Sequence, residues 1–247
     1  MKKRIVSAIL IITMVMALAA CGSTTAEPVA DATVEESASE ATQEAASEAS
    51  EEAVAEASTE EAAENVEFTV GTVTDNAYEN EYFGIKVNLL DDFSFVDDET
   101  LARITGMTTD ILSDNKLAAK AIEDGTATII AYATNSTGLS NINVTAQTNA
   151  GFANAIFDEE AVLIASIDQA KSALESQGIS NITYEIVDKV VAGENHKVLM
   201  LNGDYSGVEF HNEMVNLQKD SYMLAVAATS FSENMCDEMI DAIEVLN

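Results

Sequence analysis

The sequence predicts an α+β domain in which an antiparallel sheet of about six to seven strands is packed by helices. Two observations carry that prediction. Four strand-like segments follow one another after residue 182 with connections too short for a crossover, so they pair antiparallel. Helical periodicity is confined to a few stretches set between runs of strands, which is an α+β rather than an alternating α/β order.

From about Glu67 onward glycines, aromatics and β-branched residues are frequent, and the roughly 180 residues that follow make one domain of ordinary length. Tyr82 to Leu89 alternates Ile85, Val87 and Leu89 against Lys86 and Asn88, the pattern of a half-buried strand. Asp97 and Asp98 are N-caps for a helix carrying Leu101 and Ile104. A second helical stretch, Asn115 to Asp124, ends at Gly125, since glycine adopts the left-handed conformation past a helix C-terminus at little cost. Thr126 to Thr134 and Asn141 to Thr148 read as a hairpin about the turn-rich Asn135-Ser136-Thr137-Gly138. Asp158 to Gln177 aligns Leu163, Ile167, Ala170 and Leu174 on one helical face, with Asp168, Lys171 and Glu175 opposite, and Gly178 closes it.

Strands are then expected over Ile182 to Val191, Lys197 to Asn202, Val208 to Gln218 and Tyr222 to Thr229. Gly193-Glu194-Asn195, Asp204-Tyr205-Ser206-Gly207 and Lys219-Asp220 supply the turns. Ser230-Phe231-Ser232-Glu233 has capping-box spacing before a last helix, whose apolar stripe is Met235, Met239, Ile243 and Leu246. The order is β-α-β-β-α-β-β-β-β-α.

With its opening Tyr82-Phe83-Gly84-Ile85-Lys86-Val87-Asn88-Leu89, the acid-capped helix, the hairpin, the long helix, the run of strands and the terminal helix, the region from about residue 70 to 247 resembles the PsbP-like fold. That group includes photosystem extrinsic proteins, nuclear import factors that bind Ran, and many lipid-anchored bacterial proteins. The resemblance implies an α/β/α sandwich serving as a binding or assembly module, and it brings no catalytic signature. The acidic surface and the absence of Trp depart from the group and leave no partner-binding motif to carry across.

The N-terminus gives an address. Lys2, Lys3 and Arg4 precede an uncharged apolar run from Ile5 to Ala17, the two regions of a secretory signal over residues 1–20. Thirteen apolar residues fall short of the roughly 20 that a membrane-spanning helix needs. Leu18-Ala19-Ala20-Cys21 then forms a lipobox, so Cys21 is the expected lipidation site, carrying diacylglycerol and an acyl chain. Each buried methylene contributes about 0.8 kcal/mol, so two or more chains hold a protein on a membrane where one holds it only marginally. This resembles bacterial lipoproteins, and Gly22 offers no aspartate retention signal of the Gram-negative kind. The expected location is the outer face of the cytoplasmic membrane of a Gram-positive cell.

Residues 21–66 hold the lipidated cysteine and an Ala/Glu/Ser/Thr-rich stretch with 13 acidic residues and no Lys or Arg. Such a composition cannot bury enough apolar surface to offset chain entropy, so it reads as a disordered, extended acidic tether. Removing residues 1–20 leaves 43 acidic residues against 8 basic ones, a formal charge of −35. That field repels nucleic acid and excludes it as a partner. With Cys21 lipidated, Cys236 has no intramolecular partner, and no disulfide framework is expected.

Candidate chemistry is sparse. His196 and His211 fall on neighbouring strands, where a turn centred on Tyr205 would set His196 opposite Met214 and His211 opposite Leu199; two isolated surface imidazoles make no zinc site. Gly203-Asp204-Tyr205-Ser206-Gly207 has neither the spacing nor the strand-to-helix setting of a nucleophile elbow. Cys236 lies among Glu233, Asp237 and Glu238, which raise a thiol's pKa, so it reads as a small buried hydrophobe. Asp91, Asp92, Asp97, Asp98 and Glu99 are candidate cation ligands by carboxylate density, but the EF-hand pattern is missing, and capping with solvation is the simpler account. The glycosylation-type triplets at Asn135, Asn143 and Asn181 are formal matches. No cofactor is expected beyond the lipid on Cys21. The leading expectation is therefore a non-enzymatic, lipid-anchored surface protein that binds a protein or envelope partner. An envelope hydrolase with a site assembled only in three dimensions, and a small-ligand receptor of a transport system, are the alternatives.

Overall fold

The strand run expected after residue 182 forms, and it belongs to the larger of two antiparallel sheets. The structure, a computed structural model, describes residues 67–148 and 158–246; the signal, lipobox, Cys21 and tether lie outside the described residues. In chain order the elements are β1 (Thr72–Val73), β2 (Ala77–Asn80), β3 (Ile85–Asn88), β4 (Phe93–Phe95), α1 (Asp98–Thr105), α2 (Thr109–Leu112), α3 (Asn115–Glu123), β5 (Thr128–Asn135) and β6 (Ser140–Thr148). They continue with α4 (Glu159–Ser176), β7 (Ile179–Val191), β8 (Glu194–Tyr205), β9 (Val208–Lys219), β10 (Tyr222–Phe231), α5 (Cys236–Asp241) and β11 (Ile243–Val245). A seven-stranded sheet runs β4-β5-β6-β10-β9-β8-β7, and a four-stranded sheet runs β1-β2-β3-β11. The fold is α+β.

One face of the large sheet builds the main core. Ala131, Ala133, Ile142, Val144, Ala146, Val215, Leu217, Leu224, Val226 and Ala228 meet Ile122 of α3, Cys236, Met239 and Ile240 of α5, and Tyr78, Ile85, Val87 and Ile243 of the small sheet. On the other face α4 covers Leu199, Leu201, Phe210 and Met214 through Leu163, Ile167, Ala170 and Leu174, and α1 covers Ile129 and Tyr132 through Leu101. The sandwich thus has helices on both sides, but one side also carries a second sheet that the sequence reading does not contain.

Local chemistry accounts for the elements that form as expected. Asp97 Oδ1 accepts from the Thr100 amide at 2.8 Å, Asp114 Oδ1 from the Lys116 amide at 2.9 Å, and Asp158 Oδ1 from the Ala161 amide at 3.1 Å, so all three longer helices begin at an aspartate cap. Phe68, outside any element, stacks on Tyr222 at 3.8 Å with Tyr82 edge-on, tying the start of the domain to β10.

Several expectations fail, each for a local reason. Tyr82, Phe83 and Gly84 form a turn, so that strand shortens to β3 and pairs with β2, whose four residues are too few for a periodicity. β1, β2, β4 and α2 are short enough to carry no pattern of their own. The β7–β8 and β8–β9 turns are two-residue turns at Ala192–Gly193 and Ser206–Gly207, both residues of each at positive φ. The second turn moves the register from the expected one: Tyr205 pairs Val208, His211 lies opposite Asn202, and Leu199 faces Met214. β8 consequently runs through Gly203, where a Cβ would stand 2.6 Å from Ile179 Cγ2.

The last helix stops at Asp241, and Ile243 enters β11 to pair with Val87. Ser230 is the penultimate residue of β10, with its Oγ against Ser140 Oγ at 2.9 Å, so no capping box forms; Asn234 Oδ1 accepts from the Cys236 amide instead. Among the described residues no helix is long and apolar enough to cross a membrane.

Leu224 is fully buried at the centre of the main core. Leu224→Ala should cost about 2 to 5 kcal/mol, read as a lower urea midpoint with an unchanged slope.

Candidate functional site

The most unusual chemistry lies in the middle of the large sheet, on the face that α1 and α4 share. Along β6 the side chains of Asn141, Asn143, Thr145 and Gln147 point to that face, while Ile142, Val144 and Ala146 point into the main core. Cross-strand pairing extends the polar set into rows. Asn141 stands beside Thr229 of β10, which stands beside Asn212 of β9. Thr145 stands beside Ala225, and Ala225 beside Asn216. Between them runs the row Tyr132, Asn143, Ala227, Met214, Leu199, which leads from the α1 contacts to the α4 contacts. No charged side chain occurs in these rows.

These polar groups are buried at the level of a core. Asn143, Asn212 and Asn216 are 2 to 3% exposed, and Thr229 is 1% exposed. Part of their capacity is met: Asn143 Nδ2 donates to the Ala227 carbonyl at 3.3 Å, and Asn212 Nδ2 donates to the Ala228 carbonyl at 2.9 Å and to Thr229 Oγ1 at 3.0 Å. Four oxygens on this face, Asn141 Oδ1, Thr145 Oγ1, Asn212 Oδ1 and Asn216 Oδ1, have no hydrogen-bond partner. Each buried acceptor left unpaired costs about 1 to 3 kcal/mol, so four on one patch are a sizeable standing cost. On their other face the same three strands present Ile142, Val144, Ala146, Val215, Leu217, Leu224, Val226 and Ala228, with Ser140, Ser230 and Glu213 toward one end.

Shape completes the description. On β10 the small Ala225 and Ala227 lie between taller side chains, Asn143 and Thr145 on the β6 side and Met214 and Asn216 on the β9 side. Small side chains thus run along β10 between larger neighbours, and of these residues Ala225 alone is partly exposed. At the β5 wall burial pushes the Tyr132 phenol up to about 12, which keeps it neutral. The principal helix contacts of β6 and β10 are with α3 and α5, both on the opposite face.

The residues singled out from sequence are placed elsewhere. His196 Nδ1 lies 2.7 Å from Glu159 Oε1, and Glu159 Oε2 accepts from the Lys197 amide at 2.7 Å, so this histidine helps fasten the start of α4 to β8. His211 Nδ1 lies 2.8 Å from Asn202 Oδ1. Both rings are half-buried rather than on the surface, and neither is hydrogen-bonded to a serine or cysteine. The Gly203–Gly207 stretch is the end of β8 and its turn, with the Gly207 amide donating to Asp204 Oδ1.

Asp97 caps α1, Asp92 Oδ2 accepts from Ser136 Oγ at 2.7 Å, and Asp91, Asp98 and Glu99 join them in no cluster. Among the described residues no group of three or more His, Cys, Asp or Glu side chains could hold a metal. Asn143, a formal glycosylation match, is buried, and Asn135 Oδ1 instead accepts amides in the β5–β6 turn.

Cys236 is buried against the Ala228 carbonyl, and desolvation, with Glu213 and Asp237 nearby, raises its thiol well above the ordinary range. Beside it Lys189 Nζ bridges Glu213 and Asp237. Burial raises the Glu213 carboxyl against the opposing pull of Lys189; burial alone would lower Lys189, but its bonds to Asp237 and Glu213 hold it above the usual lysine value. This is a structural ion triad joining β7, β9 and α5.

No family model matches the chain, and no curated protein matches it, so the PsbP-like resemblance has no family match behind it. Among solved structures it is similar to LpqN, described as involved in cell envelope biogenesis of Mycobacterium tuberculosis, at 9% identity and a TM-score of 0.34, over 65% of this chain and 82% of that one. A Pseudomonas aeruginosa protein of unknown function, PA94, is similar at 13% identity and a TM-score of 0.21 over 36% of this chain, which spans 58% of that protein's length. Likenesses this distant leave the functional argument to this chain's own residues.

Lys189→Met would strand the Glu213 carboxylate in the core, a loss of about 3 kcal/mol at neutral pH. With its cation gone Glu213 binds a proton more tightly folded than unfolded, so the variant's stability falls as pH rises through the carboxylate range. Urea unfolding at neutral pH and near pH 5 should therefore show the deficit shrinking in acid.

Proposed function

We propose that the protein is a non-enzymatic, lipid-anchored binding module of the cell envelope, held by Cys21 at the outer face of the cytoplasmic membrane of a Gram-positive cell, and that the polar strip across β6, β10 and β9 belongs to its binding face. The observation that carries this reading is the set of four unpaired, buried oxygens, three amide carbonyls and the Thr145 hydroxyl, gathered on one uncharged patch. Groups left at such cost in a sheet centre are accounted for when a ligand supplies their missing partners. The patch contains polar amides and hydroxyls without an adjacent general base, which suits recognition rather than bond-breaking.

The lipobox and the acidic tether support the rest of the reading. As a random coil, about 45 residues would set the domain roughly 35 to 40 Å from its anchor, and self-repulsion among the 13 acidic residues would extend it further. A partner in the inner cell wall would be in reach at that height. The PsbP-like resemblance belongs to the same proposal, since it implies a scaffold for binding.

Two results test it. Cys21→Ala should move the protein from the membrane pellet to the soluble fraction while leaving its melting temperature unchanged; retention in the pellet would remove the anchor. Crosslinking of the anchored protein on intact cells, followed by mass spectrometry, should return one dominant envelope component competed by soluble protein, and a repeated blank would remove the binding module.

A further inference from the structure

The large sheet is incomplete at the β5 edge. β4 pairs only Phe93–Phe95 with Ala133–Asn135, and the Val96 amide donates to the Tyr132 carbonyl at 3.0 Å as the chain leaves for α1. Toward Thr128 the outer edge of β5 has no strand beside it, and the register shift between Ile129 and Ala131 falls there. Helices α1 to α3 and the chain around Gly71 close over the gap without filling it, because a helix about 10 Å across cannot lie as near a strand edge as a neighbouring strand does.

What is left is a cavity of about 240 Å³. The exposed Asp98, Ser113 and Asn115 mark its mouth, and the buried Val70, Leu101 and Ala131 its floor. A volume of about 150 Å³ holds a benzene, so this one takes a single ring with a short chain. We infer that the cavity binds a small aromatic amine, one ring on a short chain that ends in an ammonium group. The site is separate from the polar strip, which it touches only at Tyr132.

Charge selects the head group. Asp98 is the one charged side chain among the described residues that line the cavity; neither Arg103 of α1 nor Lys116 of α3 reaches it. The Asp98 carboxylate has no hydrogen bond or ion pair to any described residue, so it is available to a cation. The chain's formal charge of −32 concentrates cations about the mouth and repels anions.

The remaining polar capacity is small. The Tyr78 hydroxyl donates to the Val70 carbonyl at 2.9 Å and accepts from Asn80 Nδ2 at 2.8 Å. Ser113 Oγ donates to the Thr109 carbonyl at 2.8 Å, and Asn115 Nδ2 to the Gly71 carbonyl at 3.3 Å. Tyr132 is 5% exposed, and its hydroxyl bonds no described residue. One free carboxylate at the mouth and one free phenol in the wall suit a ligand with a single charged head. A sugar, with a hydroxyl on nearly every carbon, would leave most of its groups unpaired there.

The walls select the ring. Tyr78, Phe95 and Tyr132 line the cavity beside Leu101 and Ile130, so an aromatic body meets both rings and aliphatic surface. Ring pairs contribute beyond the area they bury, and the negative faces of aromatic rings attract an ammonium group.

The test is calorimetric titration of the full chain in a non-ionic detergent at physiological salt, with titration into micelles alone as the blank. The probes are phenethylamine, phenethyl alcohol, hydrocinnamate and butylamine, which keep or remove the charge and the ring in turn. Phenethylamine should bind about fivefold tighter than any of the others, the margin that one partly exposed ion pair with a cation–π contact supplies. Asp98→Asn should bring it to the level of the alcohol, and Ser113→Trp, which sets an indole in the mouth, should weaken all three phenyl compounds. Both positions are exposed, so both variants should keep the wild-type melting temperature, and saturating phenethylamine should raise that temperature more in the wild type than in either variant.

Absence of phenethylamine binding would overturn the inference. So would butylamine binding as tightly, which would reduce the attraction to the chain's overall charge, or the alcohol or carboxylate binding as tightly, which would remove the ammonium group. An affinity for phenethylamine unchanged by Asp98→Asn, or unchanged by Ser113→Trp, would place any binding outside this cavity and overturn it equally.

Discussion

β10 is hydrogen-bonded to β6 on one side and β9 on the other along almost its whole length, and it is buried on both faces. Its alternation therefore commits both cores at once: Leu224, Val226 and Ala228 go to the face that α3, α5 and the small sheet close, and Met223, Ala227 and Thr229 go to the face shared by α1 and α4. A slip of one residue would exchange the two sets and break every row across the sheet. The tie between Phe68 and Tyr222, the pairing of Ser140 with Ser230, and the seat of α5 beneath Ala228 all depend on that register.

The two faces divide the work. The first is largely apolar, and the buried Glu213 on it is paired with Lys189, which also bonds Asp237. The second consists of two apolar islands under α1 and α4, with a polar strip between them. Hydrophobic burial on the first face offsets the cost of the unpaired oxygens on the second.

Much of the scaffold was legible in the sequence because its signals are local. The aspartate cap at Asp97, the apolar stripe from Leu163 to Leu174, and the β5–β6 hairpin about Asn135 each depend on residues within a few positions of one another. The misses have the opposite character. Ala192 and Ser206 adopt positive φ without being glycine, so the turns that set the β7–β8 and β8–β9 registers look like ordinary residues. Ile243 fits a helical stripe with Met239, yet it is drawn into β11 by Val87, more than 150 residues earlier. Short strands such as β1 and β4 exist only through their partners.

The candidate site follows the same rule in its sharpest form. The sequence by itself determined that Asn141, Asn143, Thr145 and Gln147 share one face of a strand and Ile142, Val144 and Ala146 the other, because a strand's side chains alternate with period two. It also determined the acidic charge, the lipobox and the α+β class. Only the tertiary structure decided that the polar face lies inside, since that depends on Ala227 and Met214 arriving beside Asn143 from strands far along the chain, and on α1 and α4 walling the rows at either end. Alternation fixes which side chains stand together, and packing between distant segments fixes whether water or protein meets them.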